Sequence, residues 1–158
     1  MLELDIQHQH AGDVPGDDAL WGAVRAALLV AGADGGSREL TLRIVDRQEM
    51  RDLNARYRHR DYATNVLSFP ADLPAHITLP LLGDVVVCAP VVDEEARDQG
   101  KARQAHWDHM LVHGVLHLLG FDHEAQDDAQ VMEDLERKAL ATLGWPDPYT
   151  LPLADACA

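Results

Sequence analysis

Residues 109–123 read HMLVHGVLHLLGFDH, an apolar run that is interrupted by histidines at helical spacing. His113 and His117 are four residues apart, so on a helix of about 3.6 residues per turn they project from one face. Gly120 favours the left-handed conformation that ends a helix, and the reversed chain can then bring His123 back toward the pair. The stretch therefore predicts a long helix whose end gathers three imidazoles around one metal ion.

Zinc is the metal that three neutral imidazoles favour. Three protein ligands with one open tetrahedral position are the usual arrangement of a catalytic zinc site, in which water takes the fourth position. The undiminished double charge of such an ion suits an anionic substrate such as a phosphodiester. We predict one Zn²⁺ per chain, with nickel and copper as alternatives because both also bind imidazole.

Two histidines four residues apart are, on their own, more often a packed or surface pair than a metal site. The interpretation as ligands depends on His123 after the glycine and on an apolar stripe opposite the histidines, formed by Leu111, Val115 and Leu118. His106 and His109 lie on the same helical face in the preceding turns. Like Asp122, they either orient the ligands or are ordinary polar residues beside a wet cleft.

The spacing H-x-x-x-H-x-x-G-x-x-H also matches the metzincin metalloproteases. Those enzymes carry a glutamate general base directly after the first histidine, whereas this chain has Gly114. Loss of that base removes a contribution of roughly a hundredfold to ten-thousandfold. Peptide hydrolysis therefore ranks well below phosphodiester chemistry.

One domain is expected over residues 1–158, because 47% of the residues are apolar and no linker, repeat or low-complexity segment interrupts them. The two cysteines, Cys88 and Cys157, form no C-x-x-C pair and are not expected to bind zinc. The sequence shows neither a signal peptide nor an apolar run of the roughly 20 residues that span a bilayer. We expect a soluble, cytoplasmic protein with no membrane partner.

The formal net charge of −14 argues against nucleic-acid binding by the surface as a whole, because Lys and Arg contacts to phosphate normally dominate such binding. Almost half of the thirteen basic residues nevertheless fall within one short segment. This arginine cluster consists of Arg43, Arg47, Arg51, Arg56, Arg58 and Arg60. It is either a local basic face that contacts nucleic acid or a solvated helix face with its turn.

Strands and helices are predicted to alternate along the chain, which indicates an α/β (α+β) fold with a small mixed sheet of four strands packed by helices. Asp46 and Glu49 resemble a capping box, and Asp127 or Asp128 is the expected N-cap of the last helix. The proline-rich segment between residues 70 and 80 is predicted to be a loop. The predicted strands are 2–7, 38–45, 64–69 and 83–88, and the predicted helices are 18–31, 47–57, 89–99, 102–119 and 128–143.

Several blocks of the sequence resemble the bacterial YbeY family of zinc-dependent endoribonucleases. YRHRDYATNVLSFP at 57–70 is similar to that family's Y-R-x-x-D-x-x-T-[DN]-V-L-S-F-P segment, and HGVLHLLGFDH at 113–123 is similar to its signature. LGDVVVC at 82–88, MEDLE at 132–136 and LGWPDPY at 143–149 extend the resemblance over most of the chain. Asn65, where many relatives have Asp, and Trp145, where many have Phe, are mild departures.

The resemblance implies an endoribonuclease domain in which His113, His117 and His123 hold zinc. It implies a role in the maturation of ribosomal RNA, including the 3′ end of 16S rRNA, and in quality control of the small ribosomal subunit. It also implies that Arg58 is catalytic, since a guanidinium near the metal would hold the scissile phosphate. The expected partners are single-stranded RNA and ribosomal or assembly proteins, and no DNA. An alternative is a zinc-stabilised ribosome-assembly factor with incidental nuclease activity.

Overall fold

Four strands and five helices make up the described part of the chain, which comprises residues 1–71, 80–122 and 125–149 of a computed structural model. The predicted loop between residues 70 and 80 lies mostly outside these residues. In chain order the elements are β1 (Leu2–His8), α1 (Asp17–Val30), β2 (Arg38–Val45), α2 (Arg47–Arg58), β3 (Val66–Pro70), β4 (Leu81–Cys88), α3 (Ala89–Asp98), α4 (Arg103–Leu118) and α5 (Gln126–Thr142).

The strands form one mixed sheet in the order β1-β2-β4-β3. β1 and β2 are parallel, as are β2 and β4, whereas β3 runs antiparallel to β4 at the edge of the sheet. This confirms the prediction of a small four-stranded mixed sheet. Pro70 was expected to stop β3 but is its last paired residue, opposite Gly83. An edge strand tolerates proline because the missing N–H need not donate to a second neighbour.

Helices cover the two faces of the sheet unequally. On one face, inward-pointing residues such as Leu42 and Val85 join the main core with α1, α4 and α5. On the other face, Val86 and Cys88 pack with Met50 of α2 in a smaller cluster. β4 therefore contributes to a core on both sides, which explains why residues 85–88 are all apolar.

The helix ends follow local sequence rules at two of three predicted positions. The Asp46 side chain accepts a hydrogen bond from the backbone N–H of Glu49 over 3.1 Å, which confirms it as the N-cap of α2. Gly120 has φ 101°, and the N–H groups of Gly120 and Phe121 donate to carbonyls in the last turn of α4, as in a Schellman motif. The predicted N-cap of α5 is wrong: Ala125 takes that position.

Gly114 allows α4 to lie unusually close to the sheet. A Cβ atom at this position would come within 2.8 Å of Val85 Cγ1 and 3.1 Å of Val66 Cγ2. The Ser68 hydroxyl donates to the Gly114 carbonyl over 2.7 Å, which ties α4 to β3 at the same point. The position of His113 next to β3 thus depends on a residue without a side chain.

We expect Gly114→Ala to lower the free energy of unfolding by about 1–3 kcal/mol, because the added methyl group must displace two β-branched side chains of the core. Gly22→Ala is the matched control, since Gly22 also lies within a helix but its Cβ would meet only Leu143, at 4.0 Å. Alanine at this position should stabilise the protein by up to about 1 kcal/mol. Urea unfolding of both variants measures the two effects, and equal effects would contradict the close approach at Gly114.

Candidate active site

His113 and His117 lie side by side on α4 and face a pocket of about 390 Å³. Their ring centroids are 4.8 Å apart, and the ring planes are inclined at 78°. Both rings are partly exposed, whereas Leu111, Val115 and Leu118 on the far side of the helix are buried. The two faces predicted for this helix are therefore present. The pocket is also lined by Arg58, Thr64, Asn65, Val66, Leu67 and Ser68.

The third predicted ligand, His123, lies outside the described residues, as does Glu124. Within residues 1–71, 80–122 and 125–149 no three His, Cys, Asp or Glu side chains are grouped as metal ligands. The described part of the site is thus the His113–His117 pair at the end of α4, followed by the left-handed turn at Gly120.

Glu136 on α5 contacts two histidines of α4 and the hydroxyl of Tyr149. Its carboxylate is 1% exposed, and its Oε1 lies 2.5 Å from His109 Nε2 and 3.4 Å from His113 Nδ1. The Tyr149 hydroxyl donates to the same oxygen over 2.9 Å. Burial alone would raise the pKa of Glu136, but the hydrogen bonds from His109 and His113 outweigh it and lower this pKa to about 2. A buried, ionised carboxylate therefore lies next to the Nδ1 atom of His113.

His109 shares this carboxylate, which supports the interpretation that it orients a ligand. Burial lowers the pKa of its imidazole, although the bond to Glu136 acts in the opposite direction. A neutral His109 that donates an N–H to the ionised carboxylate of Glu136 is consistent with both its burial and its hydrogen bond. His109 and His113 thus approach the same oxygen of Glu136 from one face of α4.

His106 belongs to a separate polar group. Its Nε2 lies 2.9 Å from Glu95 Oε1, and the Asn65 amide donates to both oxygens of Glu95 over 3.2 Å. Burial would raise the pKa of Glu95, but the bonds from His106 and Asn65 lower it. His106 is thus a buried histidine in a structural pair, and it is not the residue beside a wet cleft that was one of the two interpretations.

Arg58 reaches the pocket from the last turn of α2. It donates to the Ser68 carbonyl over 2.9 Å, and its Cζ lies 5.1 Å from the centre of the Phe69 ring. The side chain remains exposed at the pocket rim. The structure thereby brings Arg58, His113 and His117 together around one opening.

Ion pairs occupy half of the arginine cluster. Arg43 pairs with Glu49 over 2.5 Å, Arg51 pairs with Asp61 over 2.7 Å, and Arg47 pairs with Glu94. Carboxylates therefore partly offset the charge of these three residues, which favours the interpretation of this part of the cluster as a solvated face. Arg56, Arg58 and Arg60 are exposed near the C-terminal end of α2.

Gly114 also explains why the metzincin pattern is incomplete. That family's glutamate would occupy position 114, where even an added Cβ atom would come within 2.8 Å of Val85 Cγ1. A glutamate side chain does not fit between α4 and the sheet unless the two move apart. The low rank given to peptide hydrolysis agrees with this packing.

Comparison with known proteins identifies the relatives of the chain. The family model described as "Endoribonuclease YbeY" matches residues 19–144. Proteins with that name from Pseudomonas putida and Pseudomonas entomophila are each 55% identical over 150 residues, which is 94% of this chain and 94% of theirs. The one from Stutzerimonas stutzeri is 51% identical over 150 residues, covering 94% of this chain and 92% of its own length.

A similar fold occurs in the solution structure of TM1509 from Thermotoga maritima. The two structures align with a TM-score of 0.58 over 95% of this chain and 99% of the other, at 21% sequence identity. At this identity the likeness concerns the fold alone. None of the helices in the described ranges is long and apolar enough to cross a membrane.

Proposed function

Because the chain belongs to the YbeY family of endoribonucleases, we propose that it cleaves single-stranded ribosomal RNA at the pocket formed by Arg58, His113 and His117. Its substrate is RNA, and its reaction is the cleavage of a phosphodiester bond. The observation that carries the proposal is the convergence of two imidazoles and one guanidinium on a single opening. We further propose that His113, His117 and His123 hold one zinc ion there.

The donor set of the described residues fits such an ion. Metal-binding imidazoles usually donate their second ring N–H to a carboxylate, which fixes the ring and raises its basicity. Glu136 lies 3.4 Å from His113 Nδ1, so it is placed for this role while the other ring nitrogen binds the metal. The inclined pair of rings four residues apart agrees with the prediction made from spacing.

Each residue of the pocket then has a distinct task. When bound, zinc would supply a Lewis-acidic positive charge at the reacting phosphate. Arg58 would grip a phosphate oxygen with its guanidinium and offset the charge that develops in the pentacoordinate transition state. Its bond to the Ser68 carbonyl and its contact with Phe69 hold the side chain at the rim for this purpose.

Arg58→Ala tests the assigned role of the guanidinium. We expect kcat for RNA cleavage to fall about a hundredfold or more, the usual effect of removing one preorganised donor to a developing negative charge. Arg56→Ala is the matched control, since Arg56 is exposed on the same helix but does not line the pocket. Equal rates for the two variants, both shown to be folded by circular dichroism, would remove Arg58 from the mechanism.

The chemical ends of the RNA products distinguish two routes. Attack by the ribose 2′-hydroxyl leaves a 2′,3′-cyclic phosphate, whereas direct attack by water does not. Mass spectrometry of the products from a short single-stranded RNA identifies the nucleophile. Either result is compatible with the same contacts at Arg58 and His117.

Maturation of the 3′ end of 16S rRNA is the biological role that the family resemblance supports. Such a role would place the protein in the cytoplasm, on or near the small ribosomal subunit. Purified precursor subunits provide the test. Wild-type protein should shorten the 3′ end of the precursor, and an active preparation that leaves this end unchanged while it cleaves other single-stranded RNA would contradict the role.

A further inference from the structure

A second pocket of about 410 Å³ lies beside the candidate active site, over the face of the sheet that α2 only partly covers. Phe69 and Ser68 are consecutive in β3 and therefore point to opposite faces of the sheet. Ser68 lines the active-site pocket, whereas Phe69 lines this second one. We name it the open-face pocket, and the residues that line it include Thr41, Tyr57, Phe69 and Asp84.

Three side chains form a wall between the two pockets. The Arg58 guanidinium carbon lies 5.1 Å from the centre of the Phe69 ring, and the Phe69 and Tyr57 ring centroids are 5.2 Å apart. Arg58 faces the active-site pocket, and Tyr57 faces the open-face pocket. If Arg58 binds a phosphate of an RNA strand, a base of an adjoining nucleotide can therefore reach Tyr57 and Phe69.

The open-face pocket combines an aromatic surface with hydrogen-bonding groups at its edge. Tyr57 is 51% exposed, although aromatic side chains usually bury most of their surface. Asp84 is exposed and lies in register with both Phe69 and Thr41, so the three side chains share one face of the sheet. An apolar surface bordered by hydrogen-bonding groups is the chemistry that an unpaired nucleobase requires.

We propose that the open-face pocket binds a guanine base of the RNA strand, next to the nucleotide whose phosphate lies at Arg58. Unpaired bases stack on exposed aromatic rings, and the half-exposed ring of Tyr57, which packs edge-to-face with Phe69 at 69°, provides such a surface. Among the four bases only guanine presents an imino N–H and an amino group side by side, and the two oxygens of Asp84 accept both. This inference rests on the proposed active site, and it adds a base preference that the family name does not contain.

A set of short single-stranded RNAs tests the proposal. After the cut is mapped in one of them, the nucleotides on both sides are replaced in turn by G, A, C, U and an abasic residue. At one of these positions we expect kcat/KM to be about tenfold higher with A, C or U than with the abasic residue, the usual scale of stacking on one aromatic side chain, and about tenfold higher again with guanine. Equal kcat/KM for guanine and the other three bases at every position would overturn the proposal.

Two variants assign the effect to the open-face pocket. Tyr57→Ala should raise KM about tenfold for all bases with little change in kcat. Asp84→Asn should reduce the preference for guanine about tenfold without weakening binding of the other bases. The controls are Tyr62→Ala, since Tyr62 is 50% exposed but does not line this pocket, and Glu39→Gln, which removes a carboxylate elsewhere on the sheet. Equal behaviour of variants and controls would overturn the proposal.

Binding without cleavage separates this inference from the proposed active site. Fluorescence anisotropy of a labelled guanine-containing RNA is measured with His117→Ala alone and in combination with Tyr57→Ala. We expect the double variant to bind about tenfold more weakly than the single one. Equal affinities, with cleavage lost in His117→Ala, would overturn only the guanine pocket. Full cleavage by His117→Ala would instead overturn the active site itself.

Discussion

His117→Ala should lose RNA cleavage by a factor of about a thousand or more while it remains folded. A metal ion at a phosphoryl centre contributes several kcal/mol of transition-state stabilisation, and about 1.4 kcal/mol corresponds to a factor of ten. If three imidazoles bind the metal as proposed, removal of one of them weakens metal binding and so removes most of this contribution. His117 is only partly buried, so the loss of its ring leaves no large cavity in the core.

The matched control for this prediction is His8→Ala. His8 is an exposed histidine at the end of β1, where it pairs with Asp17 far from the pocket. Cleavage of a labelled single-stranded RNA should be unchanged in this variant. The two variants must have equal thermal unfolding midpoints in the presence of chelator. A difference in cleavage rate then results from the loss of His117 at the candidate active site and not from unfolding. Cleavage by His117→Ala at even a tenth of the wild-type rate would contradict the assigned role.

Replacement of Glu136 should weaken metal binding and destabilise the fold. In Glu136→Leu the buried His109 donor loses its acceptor, which lowers the free energy of unfolding by about 1–3 kcal/mol, whereas Tyr149 is 43% exposed and its hydroxyl can donate to water instead. Glu136→Gln keeps an acceptor oxygen but removes the negative charge behind His113. We therefore expect it to fold and to bind zinc about 10–100-fold more weakly.

Glu95→Gln separates positioning of the proposed zinc ligand His113 from the general loss of a carboxylate that accepts from a buried histidine. Glu95 also accepts from a buried histidine, but it bonds His106 and Asn65 instead of His113. Its replacement should cost stability and leave zinc affinity unchanged. Affinity is measured by competition with a chromophoric chelator, and unfolding is measured on metal-free protein. Equal zinc affinities for Glu136→Gln and wild type would show that Glu136 is structural only.

Structural features that depend on residues close together in the chain, such as helix ends and helix faces, could be predicted from the sequence. The N-cap at Asp46 depends on a residue three positions away, and the end of α4 depends on Gly120 itself. The two faces of α4 follow from helical periodicity alone. The start of α5 was predicted too late because an aspartate is favoured both as an N-cap and in the first turn, and Asp127 and Asp128 lie in the first turn of a helix that begins at Gln126.

Contacts between distant elements could not be predicted in the same way. Glu136 lies 27 residues from His109, and only the packing of α5 on α4 brings the two together. The MEDLE block marked this segment as part of the family resemblance but gave no reason to single out its last carboxylate. The ion pair between Arg47 and Glu94, 47 residues apart, likewise has no local signal. The sequence therefore did not show that carboxylates accompany part of the arginine cluster.

The central claim is that His113 and His117, with His123, hold one zinc ion in each chain. Inductively coupled plasma mass spectrometry of protein prepared without chelator or affinity tag measures this directly. We predict about one zinc, or a similar ion such as nickel, per wild-type chain and a small fraction of that in His113→Ala and His117→Ala. A wild-type chain with clearly less than one such ion, or variants that retain as much metal as wild type, would contradict the claim.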